Sequence, residues 1–261
     1  MHRSSTPSAE REPLTLQQPT AVGIIPARLR STRLPEKPLQ DLNGAPLIVR
    51  VLERVRRATA LREIRVATDS PRIAEVIQAS GGIAVLTGPD LPSGLDRVAE
   101  AARDLRDDIV VNVQGDEPFV SAEGLDRLVA AFRDPRVRMA TLAAPFPAGD
   151  DPADPNKVKV VVDREGRALY FSRSLIPSGA EPSASPLLHV GVYAYRRETL
   201  FELARLGPCP LERAERLEQL RALWNGIPVH VIVGEYGSVG IDTPEDLERA
   251  RRLFGVGREG T

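Results

Sequence analysis

The alternation of apolar and polar residues predicts an α/β protein with a mostly parallel central sheet flanked by helices. Three observations carry that reading. Short apolar runs recur at residues 21–25, 64–68, 83–86 and 109–113, the length of buried strands. Stretches with apolar residues at helical spacing separate them. Beyond about residue 157 the rhythm changes to two runs around a hairpin-like turn, so a smaller antiparallel subregion is expected there. A repeated strand–loop–helix unit joins parallel strands through crossover connections.

The first run, Ala21-Val22-Gly23-Ile24-Ile25, is expected to break at Pro26 and continue as a loop carrying Arg28, Arg30, Arg33 and Lys37, stiffened by Pro35 and Pro38. Pro46 opens an amphipathic helix with Leu47, Ile48, Val51, Leu52 and Val55 on one face. The strand at 64–68 ends in Asp69-Ser70-Pro71, where Ser70 is placed as a helix cap and Pro71 in the first turn. Ile73, Val76 and Ile77 form the buried stripe of that helix, and Gly81-Gly82 stop it. A third strand at 83–86, a third helix at 93–105 and a fourth strand at 109–113 complete this half.

Farther on, residues 157–163 and 167–172 flank the turn Asp163-Arg164-Glu165-Gly166. Residues 177–186 make a loop that is either mobile or closes over something. A strand at 189–195, a single helix at 211–224 and a strand at 229–233 follow. The last helix opens at Thr243-Pro244-Glu245-Asp246, which has the capping-box pattern.

The 261 residues allow one large α/β domain; it is expected over 21–255, between a disordered tail at 1–20 and a flexible end at 256–261. A net charge of −1 leaves no global basic field for a nucleic-acid backbone, so anion binding must be local. The single cysteine, Cys209, excludes an intrachain disulfide. No run approaches the roughly 20 apolar residues that span a bilayer. The reading is a soluble, cytoplasmic protein with no nucleic-acid or membrane partner.

Four cations within residues 28–37 repel one another unless an anion lies among them, and a nucleoside triphosphate is the natural candidate. A solvated basic loop is the alternative. Gln114-Gly115-Asp116-Glu117-Pro118 follows directly on the fourth strand and brings carboxylates to the carboxyl edge of the sheet, where open α/β sheets bind ligands. Magnesium needs one or two such carboxylates, with phosphate oxygens and water completing its shell. Asp242, just ahead of the last helix, is a second candidate, or else a local partner of the cap. No G-x-G-x-x-G, G-x-x-x-x-G-K-[ST] or G-x-S-x-G occurs, so dinucleotide, P-loop and serine-hydrolase chemistry lose their best signals.

Pro26-Ala27-Arg28 through Ser31-Thr32-Arg33-Leu34-Pro35, with Lys37-Pro38-Leu39, resembles the opening signature of the sugar-acid cytidylyltransferases. The likeness is most specific to the branch acting on 3-deoxy-manno-octulosonate (Kdo). It continues through residues 66–69, 111–118, 139–142, 158–161, 168–173, 189–193, 217–221 and 241–247, in family order and over nearly the whole chain outside the tail. The resemblance implies a nucleotide-sugar-transferase-like, Rossmann-like fold working as a homodimer. It implies transfer of CMP from CTP to Kdo with Mg2+, giving CMP-Kdo and diphosphate for lipopolysaccharide synthesis. The anomeric hydroxyl of the sugar is the nucleophile, so no protein nucleophile is required.

Carried over by position, Arg28 and Lys37 neutralise the triphosphate with Arg33 in support, and Asp116 and Asp242 hold Mg2+. Ala27, Ser93, Gly94 and Gln114 fall on the nucleotide side. Arg173, His189, Tyr193, Glu218 and Gln219 fall on the sugar side, with Arg173 gripping the sugar carboxylate in a forked contact. Two departures stand out: Ser93-Gly94-Leu95-Asp96-Arg97 replaces the usual Ser-Gly-Thr-Glu-Arg, and Leu188 replaces a basic residue before the histidine. They leave open an altered acid, an 8-amino-Kdo or a sialic-type sugar. A non-catalytic nucleotide-binding protein is the reading from another class.

Overall fold

A computed structural model describes residues 19–31, 33–178, 186–236 and 240–256. In chain order the elements are β1 (Ala21–Ala27), α1 (Leu47–Val55), β2 (Glu63–Thr68), α2 (Pro71–Ala79), β3 (Ile83–Leu86), α3 (Gly94–Ala101), β4 (Ile109–Val113), α4 (Ala122–Ala130), β5 (Met139–Pro145), β6 (Lys159–Val162), β7 (Ala168–Ser172), β8 (Leu187–Arg196), α5 (Arg197–Arg205), α6 (Pro210–Glu215), α7 (Leu220–Trp224), β9 (Val229–Val233) and α8 (Pro244–Val256). Most of the 177–186 loop and the terminal segments 1–18 and 257–261 lie outside the described residues.

The main sheet runs β3-β2-β1-β4-β8-β5-β9. β1 to β4 are mutually parallel, as the strand–helix repeat demands. Period-two burial sends alternate residues of β1 to opposite faces, Ala21 and Ile25 to one and Val22 and Ile24 to the other, and each face has its own core. The apolar stripes of α1, α2, α4 and α8 cover the first face, and α3, α5 and α7 cover the second. The chain thus winds one way from β1 to β3 and crosses back to β4, which leaves a crevice at the carboxyl ends of β1 and β4.

Local signals account for the helix starts. The Ser70 hydroxyl accepts from the Ile73 amide, and Gly81, at φ +70°, follows the end of α2. Asp163 and Gly166 close the β6–β7 hairpin, with the Gly166 amide on the Asp163 carbonyl at 3.0 Å.

Several elements depart from expectation. β1 runs through Pro26 to Ala27. Its ladder to β4 stops at Ile24, so the missing proline amide costs no bond on that side. The antiparallel part is continuous with the main sheet: its longest strand, β8, lies between β4 and β5, and the β6–β7 hairpin pairs onto β8. Two helices complete the rhythm unannounced, α4 capped by Ser121 and α5 following β8 directly. The third helix ends at Ala101 rather than at residue 105, the rest being turn.

The expected single helix at 211–224 is two, broken where Arg216 takes the left-handed conformation at φ 56°. The break has a physical reason. Glu212 and Arg221 stand nine residues apart, which on a continuous helix would put them on opposite faces. Folded back, they meet in a buried forked ion pair at 2.6 and 2.9 Å.

Candidate active site

Three loops meet at the crevice. The loop after β1 is anchored by buried Leu34 and Pro38. Glu36 adopts a left-handed backbone at φ 48° and pairs with Arg72, and Lys37 then begins a one-turn 3₁₀ helix. The loop after β4 turns tightly at Gly115, where an added Cβ would stand 2.8 Å from the Pro26 carbonyl oxygen. The third segment precedes α8. Its capping box is closed by Asp246, which accepts from the Thr243 amide and hydroxyl while Thr243 Oγ1 accepts from the Asp246 amide. Because Asp246 takes the capping role, the Asp242 carboxylate is left to face the crevice. A backbone bond from the Ile241 amide to the Asp116 carbonyl at 3.0 Å fixes the two aspartate segments side by side.

The Lys37 ammonium lies 2.6 Å from Asp116 Oδ2 and 3.0 Å from Asp242 Oδ1. Arg33 reaches the same Asp242 oxygen at 3.0 Å. Burial alone would push the Lys37 ammonium down, but the two carboxylates outweigh it and hold its pKa above the ordinary lysine value. A basic loop near residue 30 and two distant aspartates therefore converge on one point.

That point fits a divalent cation. Two carboxylate oxygens share a single small cation, the ammonium, and an oxygen-only donor pair beside a basic loop is what magnesium takes when phosphate supplies its remaining ligands.

The rest of the nucleotide-side set lies around this centre. Arg28 donates to the Leu91 and Ser93 carbonyls and so binds the turn before α3 to the end of β1. Ser93 caps α3, and its hydroxyl donates to the Asp96 carboxylate at 2.7 Å, so the shortened acid is absorbed locally. Gly94 packs near the Pro26 ring, and Gln114 lies beside Gly191 and Asn112. Ala27 is the last residue of β1.

One residue here escaped the reading of the sequence. Arg97 on α3 is completely buried, donates to Thr87 and lies 3.4 Å from Asp69, while its Nε and Nη2 have no hydrogen-bond partner. Burial pushes its guanidinium below the usual value, against the pull of Asp69. The available signals were its place at the end of Ser93-Gly94-Leu95-Asp96-Arg97 and in the inward stripe set by Leu95, Val98 and Ala101.

Within the second core, Tyr193, Glu218 and Gln219 line a cavity of about 20 Å³, room for one water, together with Leu95, Met139 and Tyr195. Leu95 is thus a packing residue, and what its turn offers Glu218 is the backbone amides of Gly94 and Leu95. Crowding by protein pushes the Glu218 carboxyl up, against the pull of Arg221 and those amides. Gln219 is buried, and its Nε2 has no partner. His189 packs its ring against Phe171 and Tyr193, with Nε2 3.0 Å from Thr141 Oγ1. Burial lowers its pKa to about 3, so the imidazole is neutral at any working pH.

Arg173 is placed differently. Its Nε and Nη1 donate to the Glu215 and Pro155 carbonyls at 2.9 and 3.0 Å, so a side-on grip on a carboxylate through Nε requires the bond to Glu215 to be released. Leu188 alternates with His189 along β8 and lies across from fully buried Lys159, away from the His189 side.

Comparison with known proteins identifies the family. The cytidylyltransferase family model matches residues 22–232. A 3-deoxy-manno-octulosonate cytidylyltransferase of Myxococcus xanthus is 48% identical over 92% of this chain and 98% of its own length. The chain belongs to the 3-deoxy-manno-octulosonate cytidylyltransferase family. A second member, from Anaeromyxobacter sp. (strain Fw109-5), is 50% identical over 90% of this chain and 96% of its own. A CMP:2-keto-3-deoxy-manno-octonic acid synthetase solved with CTP superposes with a TM-score of 0.86 at 42% identity, covering 91% of this chain and 99% of that one. A cytidylyltransferase from Leptospira borgpetersenii, 17% identical with a TM-score of 0.63 over 91% of this chain and 87% of its own, shares the fold. Members of the 3-deoxy-manno-octulosonate cytidylyltransferase family are nucleotidyltransferases, and so is this protein.

Proposed function

We propose that this protein transfers CMP from CTP to the anomeric hydroxyl of Kdo, giving CMP-Kdo and diphosphate, with Mg2+ held by Asp116 and Asp242. The observation that carries the reading is the meeting of Lys37, Asp116 and Asp242 at the carboxyl ends of β1 and β4. The anomeric oxygen attacks the α-phosphorus, the bond from that phosphorus to the bridging oxygen breaks, and diphosphate leaves with the electron pair as the anomeric proton passes to solvent. Arg28, Arg33 and Lys37 neutralise the phosphates, and their contacts are worth most where charge builds on the departing diphosphate. Magnesium, when bound, draws charge from the phosphate oxygens and makes the sugar hydroxyl more acidic. Neutral His189 orients the sugar rather than exchanging protons with it.

The test is release of diphosphate from CTP with Kdo, 8-amino-Kdo and a sialic acid in parallel. Release with Kdo is expected, release only with another acid would transfer the reading to that acid, and none with any acid would leave a nucleotide-binding protein. Asp116→Asn and Asp242→Asn should each abolish turnover while thermal unfolding stays cooperative.

The same reading includes a cytoplasmic homodimer that feeds lipopolysaccharide assembly. Leu169 on β7 and Trp224 on α7, two elements packed together, are 61% and 55% exposed, an apolar patch suited to a second copy. Sedimentation of the wild type and of Trp224→Ser checks it.

A further inference from the structure

The Lys37 ammonium is a cation seated between the two carboxylates that the proposed function gives to the metal. We propose that Lys37 is a built-in placeholder for the divalent ion: ammonium and metal compete for the Asp116–Asp242 pair, so the metal enters only when a triphosphate draws the lysine away. This rests on the assignment of that pair to the metal.

Charge and geometry lead to the same exclusion. Asp116 and Asp242 carry two negative charges, and Lys37 and Arg33, both within 3.0 Å of them, carry two positive ones, so the group is balanced as it stands. A dication added to that balanced group meets two fixed cations at close range in a partly desolvated crevice, where such repulsion is strong. One oxygen of each carboxylate is also occupied, since Lys37 bonds Asp116 Oδ2 and shares Asp242 Oδ1 with Arg33.

A triphosphate changes both conditions. It brings several negative charges, and its oxygens are better partners for a long flexible lysine than one edge of a carboxylate. Lys37 can move by exchanging partners, because among the described residues its ammonium is held by these two side chains. The lysine thereby keeps the carboxylates apart from free divalent ions in the nucleotide-free state and hands them over as the substrate arrives, which couples metal affinity to nucleotide binding.

The test uses the full chain and Mn2+ as the probe. Electron paramagnetic resonance of free Mn2+ measures its binding to the nucleotide-free protein. Wild type should bind weakly, whereas Lys37→Met and Lys37→Gln should each bind at least ~10-fold more tightly, and Asp116→Asn added to Lys37→Gln should remove the gain. The second variant keeps a polar side chain, in case the first does not fold. If neither lysine variant binds Mn2+ more tightly than wild type, the placeholder idea is overturned. Water-proton relaxation of Mn2+–CTP on the protein tests the underlying assignment separately. Loss of the enhancement in Asp116→Asn supports the metal pair, even where the lysine variants fail; an unchanged enhancement would remove it.

Discussion

Arg221 ties α7 to α6, and replacing it with methionine should cost far more than an ordinary surface ion pair. Its guanidinium, 3% exposed as a residue, makes two bonds to the Glu212 carboxylate at 2.6 and 2.9 Å and a third to the Leu206 carbonyl at 3.1 Å. Those bonds to Glu212, the largest influence on it, hold Arg221 above its usual pKa, so it is charged at every accessible pH. Methionine fills the volume but leaves a buried carboxylate and a carbonyl without their partner, a loss of about 3–5 kcal/mol. For a chain of this length that is roughly 6–20 °C in Tm. Replacing Glu212 with leucine in the same chain removes the stranded charge and should recover more than about half of the loss. Urea unfolding followed by circular dichroism measures both. A loss below ~1 kcal/mol in Arg221→Met, or a double variant less stable than the single, would refute the view that the pair is a desolvated clamp. Because Glu218 and Gln219 lie on the turn that this clamp closes, KM for the sugar should rise in the folded single variant with little change for CTP.

Three further outcomes are expected. Lys37→Ala should lower kcat by about 100-fold or more while KM for CTP changes much less, as steady-state kinetics will show; an unchanged kcat would exclude a transition-state role. Gly115→Ala must separate the ends of β1 and β4, because its Cβ would lie 2.8 Å from the Pro26 carbonyl; a cost of about 1–3 kcal/mol in urea unfolding and a drop in kcat should appear together. His189 titrates at about 3 when folded and near 6.5 when unfolded, so below 6.5 only the unfolded chain gains the proton and stability falls as pH drops toward 3, the contribution being fully present above 6.5. His189→Gln removes that dependence, and unfolding midpoints between about pH 7 and pH 5 should fall less in the variant than in wild type; equal falls would show an exposed imidazole.

Residues 21–113 were readable because each signal there is local. Periodicity, Ser70 with Pro71, and the glycines after α2 specify their elements within a few residues. The second half depended on partners far away in the chain. Nothing near residue 216 announces a break, since the helical pattern around Leu217 and Leu220 continues unbroken, and the reason for the break is a pair that forms only in the folded state. β8 was recognised as a strand, but its antiparallel place between β4 and β5 is a property of the sheet. The site shows the same division: Asp116 is signalled by its turn after a strand, while the complete burial of Arg97 depends on the packing around α3.

Asp242 shows how a distant carboxylate becomes part of such a site. Its neighbours Thr243 and Asp246 satisfy the first amides of α8 by themselves, and Asp246 also accepts from the Asp242 amide at 3.1 Å. The segment is thus fixed before Asp242 makes any side-chain contact. Ile241, fully buried among residues of β1, β4, α1 and α8, then docks that segment beside the turn after β4, with its amide on the Asp116 carbonyl. Core packing and backbone bonding together set the distance between the two carboxylates, and electrostatics alone would have opposed it. The like charges are tolerated because a cation always stands between them: Lys37 in the free protein and, on the proposed reading, a metal ion in the working one.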